Sequence, residues 1–274
     1  MRYELKPLGV GGILDQTILI FKDRFGLFLL IVLCLRIPTV AIFNYLLYAN
    51  QFPMALQPTD AQASELFQRL GQLYLTVIFP SILINVLLVA PITDGALIYA
   101  AARIYLGQPT SLGDSFRAAL SRYFPYVVAS ILWSLMLFVG GLCCVLPGIL
   151  LAFRFALVLP VVVLERLSGF AAFERSRILM NFDSMTNYVT LFLLGCGVIG
   201  VQFGISSGAG LIGQLHAQAL LTALLQSVAS AFATIAVVVF YFSCRCRAEG
   251  FDLIHLARIV AETPADRPDV ATQE

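Results

Sequence analysis

Six long apolar runs dominate the chain, at residues 25–48, 73–105, 126–144, 148–164, 188–205 and 217–244. Each is near or above the roughly 20 residues that carry a helix across a ~30 Å hydrocarbon core. Hydrophobic residues make up 59% of the chain and charged ones 12%, whereas a soluble domain carries about 25% charged residues. That excess leaves an apolar surface as well as an apolar core, and such a surface needs lipid. Lipid offers no partner to backbone N–H and C=O groups, so the runs must satisfy them internally as helices. A transmembrane barrel would need alternating strands of about ten residues, and these runs do not alternate. The predicted fold is an all-α polytopic membrane protein with six transmembrane helices. Pro80 and Pro91 predict a tilt or kink in the second run. Val145-Leu146-Pro147-Gly148 predicts a tight turn between the third and fourth.

The 17 Lys and Arg residues sort by side. Arg2, Lys6, Lys22 and Arg24 precede the first run. Arg103, Arg117 and Arg122 follow the second, Arg166, Arg175 and Arg177 the fourth, and Arg245, Arg247, Arg258 and Arg267 the sixth. The opposite side holds only Arg69, and Arg36 and Arg154 lie within runs. Positive residues stay inside, so the chain is predicted to sit in the cell membrane with both termini in the cytoplasm. The charged start, Met1-Arg2-Tyr3-Glu4-Leu5-Lys6, leads into a long run without a small-residue cleavage site, so no cleavable signal peptide is expected. The formal net charge of +1 gives no nucleic-acid footprint.

Three cytoplasmic segments, 13–25, 112–124 and 170–182, share one plan. Each sets apolar residues at helical spacing beside basic ones: Leu14, Ile18 and Phe21 with Lys22 and Arg24; Phe116 and Leu120 with Arg117 and Arg122; Phe170, Phe173 and Leu179 with Arg175 and Arg177. They are predicted to be three interfacial amphipathic helices on the inner leaflet. Either they mark three copies of an elbow-plus-hairpin module, or they are unrelated elbows. The stretch 249–262 has a similar amphipathic pattern. On the outer side, Thr59 and Gln62 form a capping-box pattern that predicts a helix from near Asp60 into the second span. Residues 1–262 read as one membrane domain, and 263–274 as a disordered cytoplasmic tail.

Arg36, Asp94 and Arg154 lie about 18, 14 and 16 Å along their helices from the nearest cytoplasmic charge, at about 1.5 Å per residue. All three fall near mid-membrane, where a charge costs at least ~2.5–3.5 kcal/mol and usually pairs. Asp94 is expected to pair with Arg36, Arg154 or both, leaving one positive charge for an anionic headgroup or solute. A purely structural pair is the plainer reading of the same residues. Gly208 to Gly213 match the pattern G-x-G-x-x-G, but no strand precedes them and the next acid is Glu249, so a dinucleotide site is rejected. Gly200, Gly204 and Gly208 instead form a face that lets another helix approach closely, or they belong to a flexible loop. The six cysteines read as small buried apolar residues without zinc-ligand spacing. His216 reads as an interfacial polar residue. Hydrolytic and Walker motifs are missing, so neither catalytic residues, nor a metal, nor a cofactor are expected.

Several blocks then stand in a telling order: Gly12-Ile13-Leu14-Asp15; Asp94-Gly95-Ala96-Leu97; Tyr105 to Pro109 with Leu112-Gly113-Asp114; Leu146-Pro147-Gly148-Ile149; Arg154; Leu159 to Glu165; Phe173-Glu174-Arg175-Ser176; Tyr241 to Arg245, Arg247 and Glu249-Gly250-Phe251-Asp252-Leu253. Over residues 9–257 they resemble the membrane domain associated with some bacterial glycerophosphoryl diester phosphodiesterases, and its stand-alone relatives. At Ser243, where that pattern typically has an acid, the chain departs from it. The resemblance implies the membrane module only; in fused relatives hydrolysis belongs to a separate barrel domain, for which no room remains here. The first functional expectation is therefore a non-catalytic membrane module: an anchor, scaffold or accessory factor in lipid or envelope homeostasis. Its partners would be the bilayer, through anionic phospholipid headgroups at the cytoplasmic face, and a membrane protein or a second copy. The alternative is a transporter or channel for a small anionic solute or lipid that uses the mid-membrane charges. An intramembrane enzyme comes last.

Overall fold

The computed structural model describes residues 5–49, 60–143, 145–209 and 214–251, and among them every regular element is helical. A short helix α1 (Val10–Asp23) turns at Arg24 into α2 (Phe25–Ala49). The return run consists of α3 (Asp60–Leu73), α4 (Phe79–Ile84) and α5 (Ala90–Tyr105). Next, α6 (Leu112–Ser121) turns at Arg122 into α7 (Tyr123–Cys143), which is followed by α8 (Val145–Arg154) and α9 (Val158–Leu164). Last, α10 (Phe170–Asn181) turns at Phe182 and Asp183 into α11 (Ser184–Ala209), and α12 (Leu215–Glu249) completes the set. The order of short helix, elbow and long helix thus occurs three times, with a helix at each of the three basic segments. Thr59, residues 210–213 and 252–262, and the tail 263–274 lie outside the described residues.

Among the described residues, five helices are long and apolar enough to cross a membrane: Phe25–Ala49, Phe67–Tyr105, Tyr123–Leu142, Ser184–Gly208 and Leu215–Glu249. The expected sixth, Gly148–Leu164, is not one continuous helix. It breaks at residues 155–157 into α8 and α9. Pro160 explains the break: it has no N–H to donate, and its ring would collide with the carbonyl of Ala156. The prolines of the second span act differently. A π-helical turn, Tyr74–Ile78 or Asn85–Val89, ends directly before the α4 or α5 turn that carries Pro80 or Pro91. The widened turn bends the helix without interrupting it.

The core forms around α12, which packs against α1, α2, α5, α9, α10 and α11. Ala219, Ala223, Ser227, Ala231 and Ile235 recur every fourth residue along it, and all are buried. Small side chains on such a row let a facing helix come close. Two glycine contacts are tighter still. A Cβ at Gly148 would lie 3.0 Å from the Gly141 nitrogen, and one at Gly140 3.1 Å from the Gly148 Cα. These glycines clamp α7 against α8. A Cβ at Gly95 would meet the Ala119 Cβ at 3.2 Å, so α6 seats against α5 beside Asp94.

The elbow helices are wedged into the bundle by one face. That face comprises Ile13, Gln16, Thr17 and Ile20 in α1, Ser115 and Ala119 in α6, and Ala172, Phe173, Ser176, Leu179 and Met180 in α10. The outward surface is apolar: Phe138, Leu142, Ile199 and Phe203 are 68–77% exposed. In water that exposure would cost about 25 cal/mol per Å², whereas acyl chains remove the cost. Cys34 and Cys196 lie exposed and so depart from the expected burial, while Cys244 and Cys246 are buried. A helix face turned to lipid suits a thiol as well as a core does.

Candidate functional site

Of the three mid-span charges, the fold joins two. Arg36 of α2 forms an ion pair with Asp94 of α5, and their side chains are 18% and 20% exposed. Pro38, two residues beyond Arg36, opens the α2 backbone, and Thr39 donates to the Leu35 carbonyl at 2.5 Å. Arg154 stands apart. It closes α8, makes no ion pair among the described residues, and its Nε is buried without a hydrogen-bond partner. Its cation sits at a helix C-terminus, where the macrodipole favours positive charge.

The helix break beside Arg154 is closed from outside. The Ser176 hydroxyl on α10 accepts the Leu157 N–H at 3.2 Å and donates to the Arg154 carbonyl at 3.3 Å. One buried side chain therefore serves two of the backbone groups that the break releases.

A denser polar network lies where the elbows meet the end of α12. Arg175 donates to Glu165 Oε2 at 2.6 Å and also pairs with Glu249. Arg245 reaches Glu249 at 3.0 Å and Glu165 at 3.9 Å, and the Tyr241 hydroxyl donates to Glu165 Oε1 at 2.7 Å. Partial burial alone would lower the Arg175 pKa, but hydrogen bonds to Glu165 and Glu249 outweigh it and hold the guanidinium above its ordinary value. A second knot lies alongside. Arg247 donates to Asn187 Oδ1 at 2.9 Å and to the Leu8 carbonyl at 2.5 Å. Ser243, the departure from the resembled pattern, accepts the Leu8 N–H at 2.9 Å. Asn187 turns its amide onto the Phe182 carbonyl at 2.7 Å and so closes the end of α10.

Beside this locked network opens a cleft of about 570 Å³ between α5, α6, the end of α9 and α12. Five arginines line it: Arg103, Arg117, Arg122, Arg166 and Arg245. Asp114 is the one carboxylate on its described wall, hydrogen-bonded to Ser111 and within the field of Arg117 and Arg103. The Ser111 hydroxyl and backbone hydrogen-bond it in a capping box, which holds its pKa below the ordinary value. Arg103, Arg117, Arg122 and Arg166 form no ion pair among the described residues. The Arg103 Nε is buried and unpartnered, while its terminal nitrogen holds the Pro109 carbonyl at 3.0 Å.

The backbone at the rim is strained. Arg166, just past α9, has φ +59°, and glycine fills the same left-handed seat after α5 (Gly107, φ +70°) and α12 (Gly250, φ +61°). A side chain there costs roughly 1 kcal/mol or more relative to glycine.

The glycine face behaves differently from the expected close helix packing. A Cβ added at Gly200, Gly204 or Gly208 would meet no atom within 4 Å, so the face makes no tight contact inside this chain. The tight glycines include Gly140, near the end of α7, and Gly148, near the start of α8, eight residues apart in the sequence. His216 stacks on Tyr45 with centroids 5.2 Å apart, at the end of the bundle away from the cleft. Among the described residues, no three His, Cys, Asp or Glu side chains gather as a metal site. No family model matches the chain, and neither a curated protein nor a solved structure shows detectable similarity to it.

Proposed function

We propose that this chain is a non-catalytic membrane module whose elbow end holds anionic phospholipid headgroups and serves as an anchor or accessory surface in lipid or envelope homeostasis. In this reading it crosses the cytoplasmic membrane six times with both termini inside. The sixth crossing is the broken pair α8 and α9, which together span 145–164 and so reach about 30 Å at about 1.5 Å per residue. The elbow helices then lie at the inner leaflet. The carrying observation is the convergence of Arg103, Arg117, Arg122, Arg166 and Arg245 on one cleft, beside a network that fixes the surrounding helices. Basic side chains near an anionic leaflet contribute about 1 kcal/mol each. The resemblance to the membrane domain of the phosphodiesterases supports the same reading.

Two measurements test it. Reporter fusions should place residue 60 and residue 175 on opposite sides of the membrane. Reconstituted protein should retain anionic over zwitterionic lipid when purified in mild detergent. Equal retention of both lipids refutes the proposal.

A second reading, a carrier for a small anionic solute or lipid, draws on Arg154. An unpaired cation at a helix break is a transporter-like arrangement. Anion flux in proteoliposomes that is abolished by Arg154→Ala would favour it.

A further inference from the structure

We propose that the cleft between α5, α6, α9 and α12 is a discrete binding site for one organic phosphate, the phosphate held by Arg103, Arg117 and Arg166 and the organic part resting on the aromatic wall. This deepens the reading above and relies on it for the side of the membrane the cleft faces.

Four features carry the inference. The first is an excess of positive charge: five arginines face Asp114 as the one carboxylate on the described wall, and the charges of Arg117 and Arg103 already help to hold it ionised. Arg103, Arg117, Arg122 and Arg166 come from three separate chain segments, and none of them ion-pairs among the described residues. Elsewhere at this end the arginines are neutralised by Glu165, Glu249 and Asp183. Holding uncompensated guanidiniums together is unfavourable unless an anion joins them.

The second is the unpartnered Arg103 Nε, buried at the cleft wall with its donor unused. Its guanidinium lies 5.9 Å from the Tyr99 ring centroid, so an aromatic face helps fix its plane. A guanidinium oriented in advance suits bidentate phosphate contact.

The third is the left-handed Arg166. Gly107 and Gly250 take a positive φ after α5 and α12, and Asp183 takes one after α10, whereas here an arginine occupies the seat and lines the cleft. Backbone strain retained in this way marks a side chain that is used.

The fourth is the wall chemistry. Tyr99, Tyr241, Phe242 and Phe251 bring rings to the same cleft. At about 570 Å³ the space exceeds a bare phosphate ion and falls within the range of small-molecule sites. The ligand class that matches is a phosphate ester with an organic part, either a lipid headgroup or a soluble phosphorylated compound.

The full chain in nanodiscs of phosphatidylcholine provides the test. Phenyl phosphate is titrated by calorimetry, with phenol and inorganic phosphate as controls. In parallel, phosphatidic acid is doped into the nanodiscs and bound lipid is counted by native mass spectrometry. Saturable binding of one equivalent of phenyl phosphate, tighter than either control, identifies a soluble ester. One retained phosphatidic acid without phenyl phosphate binding identifies a lipid headgroup. Either result supports the site, provided that Arg117→Gln weakens it by about tenfold, the loss expected for one charge-assisted contact. Arg69→Gln should change nothing.

Arg103→Gln is the stronger probe, but it also frees the Pro109 carbonyl. Arg117 is exposed on α6, so its variant decides if the other misfolds. Binding of neither probe, or binding unchanged by Arg117→Gln and Arg166→Gln, overturns the proposal. If these variants leave a preference for anionic lipid intact, the cleft assignment fails while the membrane-module reading stands. If the parent chain shows no anionic preference, the module reading fails with it.

Discussion

Replacing Ser176 by alanine should loosen the whole α8–α9 pair, because one hydroxyl serves two backbone groups at the helix break. Ser176 is fully buried, and its oxygen lies 3.2 Å from the Leu157 nitrogen and 3.3 Å from the Arg154 oxygen. Leaving a buried donor unsatisfied costs about 1–3 kcal/mol. Both contacts are long, and side-chain hydrogen bonds measured in membrane proteins average only about 0.6 kcal/mol, with a maximum near 1.7. The expected loss for Ser176→Ala is therefore about 1–2 kcal/mol, read from equilibrium unfolding in mixed detergent micelles.

The origin of the break supplies a sharper control. With Pro160→Ala the helix can continue, and the Leu157 N–H can return to the Phe153 carbonyl. Ser176 then has nothing left to satisfy. In that background Ser176→Ala should cost less than about 0.5 kcal/mol, giving a coupling energy near 1 kcal/mol between two residues on different helices. Equal costs in both backgrounds would refute the argument that the hydroxyl compensates for the proline.

Other substitutions probe the remaining contacts. Asp94→Asn strands the Arg36 charge within the bundle and should destabilise by about 3 kcal/mol, whereas the double change Arg36→Met with Asp94→Leu should recover most of that loss; unfolding of all three variants in micelles decides it. Gly148→Ala drives a Cβ to 3.0 Å from the Gly141 nitrogen and should cost about 1–3 kcal/mol. Gly200→Ala meets no atom within 4 Å and should be neutral or stabilising by about 0.5–1 kcal/mol. If Gly200→Ala instead disperses an oligomer on size-exclusion chromatography, that face packs against another chain. The Asp114 pKa is depressed by its Ser111 hydrogen bonds, so the capping box is intact above the ordinary value of 3.8 and is lost as pH falls through the depressed one. Hydrogen exchange at residues 112–115 should accelerate with acidification, and Ser111→Ala should remove that pH dependence.

The long apolar helices and the elbows were legible because their signals are local. A long apolar run is a helix in lipid whatever its neighbours do, and Arg24, Arg122 and Asp183 stand in the chain where the elbows turn. The break in 148–164 was not legible in the same way. Pro160 was visible, but apolar residues surround it, and the group that makes the break tolerable, Ser176, sits in another segment. Only the fold could bring Leu8 to Ser243, Glu165 to Tyr241 and Asn187 to Arg247, each pair separated by at least 60 residues. The basic residues were countable along the chain, yet counting does not distinguish Arg175, which ion-pairs with two carboxylates, from Arg103 and Arg117, which form no ion pair among the described residues.

That difference follows from how helices hold together without a hydrophobic drive between them. Away from the elbow end, contact depends on small residues, and α11 buries little beyond Asn187, Thr190 and Leu194. A groove lined by Phe21, Leu194 and Phe232 opens along its seam with α1 and α12. The strong directional bonds are concentrated at the opposite extreme, where Arg175, Arg245 and Arg247 fasten α9, α10, α12 and the N-terminal segment to one another. Those arginines make the end rigid because each has found its acceptor. Four arginines of the adjoining cleft, Arg103, Arg117, Arg122 and Arg166, stand on that frame without an ion pair among the described residues, and Arg103 keeps a buried Nε unused. Guanidiniums so placed lose little further freedom when an anion arrives, so the frame is what would turn a merely basic surface into a site.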